Sequence, residues 1–238
     1  MFIKKNDHQI KCIIYKNISI TVKIKKYRYS RNYKVSYDKK NLQALVTIPK
    51  YISFKSGFKF AEDNIDWIYQ QHIEMIPSII LKHGNLLTID GKEKSLFFKK
   101  DKTNNVYFDD EQIIVSSISN NKHSLVLYNW IKSKITEITK EILLEKFHDK
   151  TIKKIRISNS FSYWGSCNTK DSISIDWRLI FAPSHVLEYI IVHELCHLSE
   201  FNHGIKFWNL VDTKFKDRSK SQSWLKKNAN YLYRIRFN

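Results

Sequence analysis

Cysteine is scarce: Cys12, Cys167 and Cys196 are the only three in 238 residues. So sparse and odd a set cannot form a disulfide scaffold, and reduced thiols fit a cytoplasmic location. Glycine (5) and proline (3) are also few, and no Gly/Ser-rich linker or internal repeat is visible. No run approaches the ~18 uninterrupted apolar residues that mark a membrane span. The most apolar stretch, Val186 to Leu198, is broken by Glu188, His193, Glu194 and His197. Met1 to His8 hold no apolar core of the length a signal peptide needs. Acidic residues are in the minority, 23 against 41 Lys and Arg, which leaves a net charge of +18.

Aromatic residues, at 14%, are too many for a disordered tail. The length is enough to bury a core without cross-links. The basic excess has two readings. It could serve a nucleic-acid partner through phosphate contacts. It could also be drift in an AT-rich coding sequence, since lysines recur along the whole chain.

Hydrophobic patterning predicts an α+β fold. Ile10 to Tyr15, Ile18 to Ile24, Tyr33 to Tyr37 and Leu42 to Ile48 read as strands, and Pro49 ends the last. From Lys59 the period turns helical, with Ile65, Ile68, His72, Ile73 and Ile76 leading to Pro77. Residues 84–118 return to strands, with Asp90-Gly91 and Asn104-Asn105 as hairpin turns. A long helix over Ser124 to Phe147 carries Leu127, Ile131, Ile135, Ile138 and Ile142 on one face. Lys153 to Ile157 and Ser172 to Ile175 read as a strand pair. Helices follow over Ser184 to Ser199, with Ser184 as N-cap, then Ile205 to Phe215 and Gln222 to Tyr233. The expected organisation is a β-rich region over 1–120 with hairpins and a helix, then a helical region over 121–238 on a small antiparallel sheet. The two could form one continuous domain, with the soft boundary near 118–124.

The chemistry lies in His193-Glu-Leu-Cys-His197, an H-E-x-x-H pattern. On a helix the two histidines stand at i and i+4, so both imidazoles leave one face and can reach one zinc at about 2.0–2.1 Å. Glu194 sits beside the metal, where it can act as general base and pass the proton to the leaving group. Titratable groups are costly on so apolar a helix unless they have a task. A catalytic zinc needs a third protein ligand and one open position. His203 is the leading candidate, provided that the helix ends between it and His197, and Asn202 and Gly204 beside it suit a turn. Glu200, three residues after His197, is the rival, and Asp212 a more distant one. Cys196 points away from the metal face and reads as core. Cys167 reads as a packing residue, because a fourth thiolate would close the site.

Tyr163-Trp-Gly-Ser-Cys167, Ile175-Asp-Trp-Arg-Leu-Ile180, Ala182-Pro183, the H-E-x-x-H segment with Asn202-His203, and Phe207-Trp208 give the chain a clear resemblance. It resembles the YgjP-like metallopeptidase family, zincins similar to the SprT-like and WLM groups. Asp66-Trp67-Ile68 extends the likeness into the N-terminal half. The resemblance implies a zincin-like C-terminal region, His193, His197 and His203 as ligands of one zinc per chain, and Glu194 as catalytic base. Two positions depart from the family pattern: Tyr163 stands where Arg is usual, and Asp176 where Asn is usual. In zincins an edge strand along the cleft holds an extended peptide by main-chain hydrogen bonds, and Ser172 to Ile175 is the candidate here. Tyr163, Arg178 and Tyr189 are candidate donors to the developing oxyanion.

The leading function is thus a zinc-dependent metallopeptidase acting on a peptide or protein, with no membrane partner. A metal-dependent nucleotide phosphohydrolase is an alternative, although the scattered glycines form no phosphate loop. A nucleic-acid-associated SprT-like protease or binding protein is a further one.

Overall fold

The computed structural model describes residues 8–76, 78–89 and 91–237. The reading of Met1 to Asp7, the helix end at Pro77 and the Asp90 half of a turn fall outside these. The architecture is mixed α+β, as the patterning predicts. The chain divides into two compact units, Met1–Pro77 and Ser78–Asn238. Residues 118–124, the expected soft boundary, lie inside the second unit.

In the first unit β1 (His8–Tyr15) and β2 (Ile18–Tyr27) form a hairpin that closes through Lys16 and Asn17, both at positive φ. That is the geometry a two-residue hairpin loop demands. β3 (Lys34–Asp38) and β4 (Gln43–Pro49) complete a sheet of order β1-β2-β4-β3, in which β2 and β4 run parallel. Ile20, Val22, Ile24, Ala44, Val46 and Ile48 alternate onto one face and are fully buried. They pack against Phe58 and Ala61 of α1 (Phe54–Asp63) and Ile68 of α2 (Ile65–Ile73). Sequence patterning missed α1, where a glycine interrupts the helical signal. Gly57 is there because α1 lies directly on β2: a Cβ at 57 would come within 2.8 Å of Ile24 Cγ2.

The second unit opens with β5 (Ile79–Ile80), followed by β6 (Leu86–Ile89), β7 (Lys92–Lys100), β8 (Asn105–Phe108) and β9 (Gln112–Ser117). Their sheet has the order β6-β7-β9-β8, with β7 and β9 parallel and both outer pairs antiparallel. This repeats the strand order and directions of the first sheet. The repeat is invisible in sequence because only alternation is shared. Of the expected Asp90-Gly91 turn, Gly91 is described, at φ +78, and the flanking Ile89 and Lys92 pair across β6 and β7. Asn104-Asn105 is not a hairpin turn, since β7 and β8 are not neighbours. The reversal comes at Asp109, whose Oδ1 accepts the N–H groups of Glu111 and Gln112. An acidic side chain capping its own loop is a turn signal that the paired asparagines masked.

α3 (His123–Lys146) buries Leu127, Ile131, Ile135 and Ile142, with Ile138 half-buried beside them. Next come β10 (Lys154–Ser158), β11 (Gly165–Asn168) and β12 (Ser172–Asp176). The expected pairing of β10 with β12 is present, but it is parallel, and β11 pairs antiparallel on the other side. The sheet is therefore mixed, and β12 is its central strand rather than an edge. A short 3-10 helix (Trp177–Phe181) leads to α4 (Ser184–Cys196), α5 (Ile205–Lys214), α6 (Arg218–Arg234) and β13 (Ile235–Arg236), which pairs with β5. The capping position of α4 is Pro183, with Ser184 already helical. α6 starts four residues before the expected Gln222.

Asp176 and Arg178 clamp the approach to β11. Both are buried, with Nη1 of Arg178 3.0 Å from Oδ1 of Asp176. Asp176 also accepts the N–H of Ser160, and its own N–H bonds to the carbonyl of Trp164. Arg178 donates further to Asn159 Oδ1, the Ser160 carbonyl and the Ile235 carbonyl. A carboxylate at 176 is therefore the counter-ion of a buried guanidinium. Removing one partner of such a pair costs about 3–5 kcal/mol. Arg178→Ala should lower unfolding free energy in urea by that amount, and a loss below about 1 kcal/mol would remove the clamp from this account.

Candidate metal centre

α4 is buried on almost every side. Val186, Leu187, the run Tyr189 to Val192 and the run Glu194 to Cys196 are all in the core. On this apolar helix His193 and His197 lie one turn apart, with ring centroids 5.2 Å from each other. The helix ends at Cys196, with His197 as its C-cap. The chain then turns and returns His203 to the same spot. Its Nε2 is 3.0 Å from Nε2 of His193, and its ring is 4.8 Å from that of His197. One nitrogen of each histidine lies within 4.8 Å of the others, a donor set that could hold a metal ion.

The ring orientations have visible causes. His197 Nδ1 lies 2.9 Å from the Glu200 carbonyl. A carbonyl can only accept, so Nδ1 carries the proton and Nε2 keeps its lone pair. Beneath all three rings lies Phe207 of α5, fully buried, with centroid separations of 4.5 to 4.9 Å. Trp208 lies tilted beside His193 and His203, with ring centroids 5.8 and 5.6 Å away. Sequence reasoning noted Phe207-Trp208 only as part of the family likeness. The available signal was their spacing, four and five residues after His203 at the start of a helix.

Electrostatics favour neutral imidazoles. Burial, then the neighbouring His197 and His203, pulls His193 down to about 4, and burial also lowers His197. Nδ1 of His193 is buried with no protein partner among the described residues. Imidazole nitrogens in this number and spacing fit a divalent transition-series cation. Glu194, 5% exposed, makes no side-chain hydrogen bond among the described residues. Burial pushes its carboxyl up to about 8. It lies against the first residue of β11, where a Cβ on Gly165 would come within 2.6 Å of both Cγ and Oε1 of Glu194. Gly165 thus belongs to the site, although the sequence singled it out only within Trp-Gly-Ser-Cys.

The other candidates stand apart from the cluster. Glu200 contributes its backbone carbonyl. Asp212 is held by Arg218 in a two-point ion pair of 2.7 and 3.0 Å. Cys196 is fully buried, and burial lifts its thiol to about 12. Burial, then the charge of Glu194, raises Cys167 to about 11, so it stays a thiol. Arg178 spends its donors inside the clamp and is no oxyanion donor. The Tyr189 hydroxyl lies 2.9 Å from Nε2 of Gln222, which donates to it. Tyr163 is half-exposed just before β11. Because β12 is central, the strand with a free edge beside Glu194 is β11, not the expected Ser172 to Ile175.

A family model described as YgjP-like, metallopeptidase domain matches residues 31–228. Among solved structures, the zymogen of the metallopeptidase jannalysin from Methanocaldococcus jannaschii is similar at 28% identity. The match covers 41% of this chain and 96% of that one, with a TM-score of 0.35. No curated protein matches.

Two outcomes are expected. His203→Ala should lose most of its bound metal by elemental analysis while Glu200→Ala keeps it, because only the carbonyl of Glu200 is used; the reverse pattern would give the third place to Glu200. Gly165→Ala should retain metal and melting temperature but slow turnover by about 10²-fold, the effect of displacing a reacting group by about 1 Å. Full activity in that variant would mean that Glu194 has room to move.

Proposed function

The chain belongs to the YgjP-like metallopeptidase family, and from that premise we propose that it hydrolyses peptide bonds with one zinc held by His193, His197 and His203 and with Glu194 as general base. It is a metal-dependent hydrolase by family, and its substrate class is a peptide or protein. The observation that carries the finer reading is the convergence of three imidazoles beside a buried carboxyl that makes no side-chain hydrogen bond among the described residues. Bound zinc supplies Lewis acidity, which polarises the scissile carbonyl and makes water a stronger acid.

This chain's own groups do the rest. His197 is locked by its bond to the Glu200 carbonyl, and Phe207 keeps water from the inner face of the rings. Glu194 Oε1 or Oε2 accepts a proton from the attacking water and returns it to the leaving amine nitrogen. Burial, which raises its proton affinity, favours acceptance of the proton and opposes its return, and a carboxyl raised to about 8 balances the two near neutral pH. The open edge of β11 offers main-chain groups to an extended peptide, next to the carboxyl that must meet it. Among the described residues no helix is long and apolar enough to cross a membrane.

Glu194→Gln separates binding from proton transfer. The variant should keep one zinc per chain and an unchanged melting profile, yet cleave a peptide library about 10²–10⁴-fold more slowly than zinc-loaded wild type. Retention of more than about a tenth of wild-type turnover would exclude Glu194 as the base.

A further inference from the structure

The net charge of +18 is not evenly distributed. Residues 8–61 hold 13 lysines and arginines against one acidic residue, Asp38, whereas residues 62–238 hold 26 against 21. Lysines recur along the whole chain, but carboxylates do not. The two sheets of like topology make the contrast plain: residues 86–117 carry 5 basic and 6 acidic side chains. Drift toward lysine codons would act on both sheets alike, so acid depletion is a property of residues 8–61, the first sheet and most of its first helix, since Glu62, Asp63, Asp66 and Glu74 follow directly. Asp38 itself is engaged within its turn, where it accepts the backbone N–H groups of Lys40 and Asn41 and the side-chain amides of Asn41 and Gln43.

Strand alternation puts three uncompensated lysines on one surface. The β2 residues Ile20, Val22 and Ile24 face the helices, so Lys23, Lys25 and Tyr27 face the other way. Lys25 and Lys34 flank Thr47 from opposite sides and form one row across β2, β4 and β3. Lys23 lies in the next row, beside Leu45. Tyr27 is 51% exposed, and Tyr29, just past the end of β2, is 76% exposed. Among the described residues Lys23, Lys25, Lys34 and Arg31 meet no carboxylate. Two other cations of the unit are occupied: Lys16 pairs with Asp66, and Lys26 reaches the Lys50 carbonyl and the Phe54 ring.

We propose that this outer sheet face binds single-stranded nucleic acid, with phosphates along Lys23, Lys25 and Lys34 and bases stacked on Tyr27 and Tyr29. Cation rows supply sequence-independent affinity. Exposed rings on an open sheet favour unpaired bases, because the bases of a duplex are already stacked on one another.

The test is fluorescence anisotropy of the full-length protein with a labelled 20-nucleotide uridine RNA, titrated over salt. Lys23→Glu/Lys25→Glu/Lys34→Glu is compared with Lys140→Glu/Lys226→Glu/Lys227→Glu, which makes the same charge change on exposed helix positions of the second unit. Binding should persist near about 0.15 M salt in wild type and fall log-linearly, and the first triple variant should reduce the slope by about 2, or about 0.7 per lost contact. The second triple variant should keep the wild-type slope. Tyr27→Ala/Tyr29→Ala, which leaves the charge alone, should weaken binding about tenfold or more with the slope unchanged. Equal losses in the two triple variants, equal affinity for a duplex of the same length, or binding to anionic phosphatidylserine vesicles without binding to the RNA would each overturn the proposal. Melting profiles confirm that the variants fold, and the tyrosine variant decides the matter if a charge-reversed one does not.

Discussion

The site depends on one constraint: ionisable side chains are carried on a helix with almost no solvent-facing side. α4 is held on the second unit's core by Val186, Ile190, Ile191 and Leu195. His193, Glu194 and His197 cannot be charged there at ordinary cost, since a buried charge without a partner is strongly disfavoured. Burial therefore lowers the proton affinity of the two imidazoles and raises that of the carboxyl. Groups arranged in this way are matched by a shared cation. Under the proposed function, the same apolar packing that disfavours their charge suits them to the roles of ligands and base.

The supporting frame comes from three separate parts of the second unit. α5 supplies Phe207 under the rings. β11 supplies a residue without a side chain, so that Glu194 can lie flush against the strand edge. The Asp176–Arg178 clamp fixes the loop 158–164, which delivers β11 to that position. The departure from the family pattern at Asp176 acquires a physical reason here, because the buried guanidinium has a formal counter-ion. Polar satisfaction within this loop, rather than apolar area, sets where the cleft edge lies.

The first unit follows different rules. Its sheet has the strand order of β6 to β9 and buries one face in the usual alternation, yet it leaves its other face almost free of carboxylates. Topology does not require this, because the second copy of the topology balances its charges. Charge and fold are thus independent variables in this chain, because two sheets of one topology differ in their balance of basic and acidic side chains.

Local rules made much of the protein legible in the sequence. The H-E-x-x-H helix, the α3 stripe and the first four strands depend on spacings within a few residues, so Leu127, Ile131, Ile135 and the strand positions Ile20, Val22 and Ile24 fall where periodicity puts them. Even the return of His203 was readable, because six residues cannot stay on one helical face and Asn202 and Gly204 permit a turn. Contacts between distant segments were not readable. Gly165 touches Glu194 across 29 positions, Arg178 reaches Ile235, and β12 lies between two strands instead of at an edge. The sequence determines which side chains can do the chemistry, since residue type and helical spacing are local properties. Tertiary structure alone decided which of them are buried, neutral and facing one another, because burial depends on every segment packed around them.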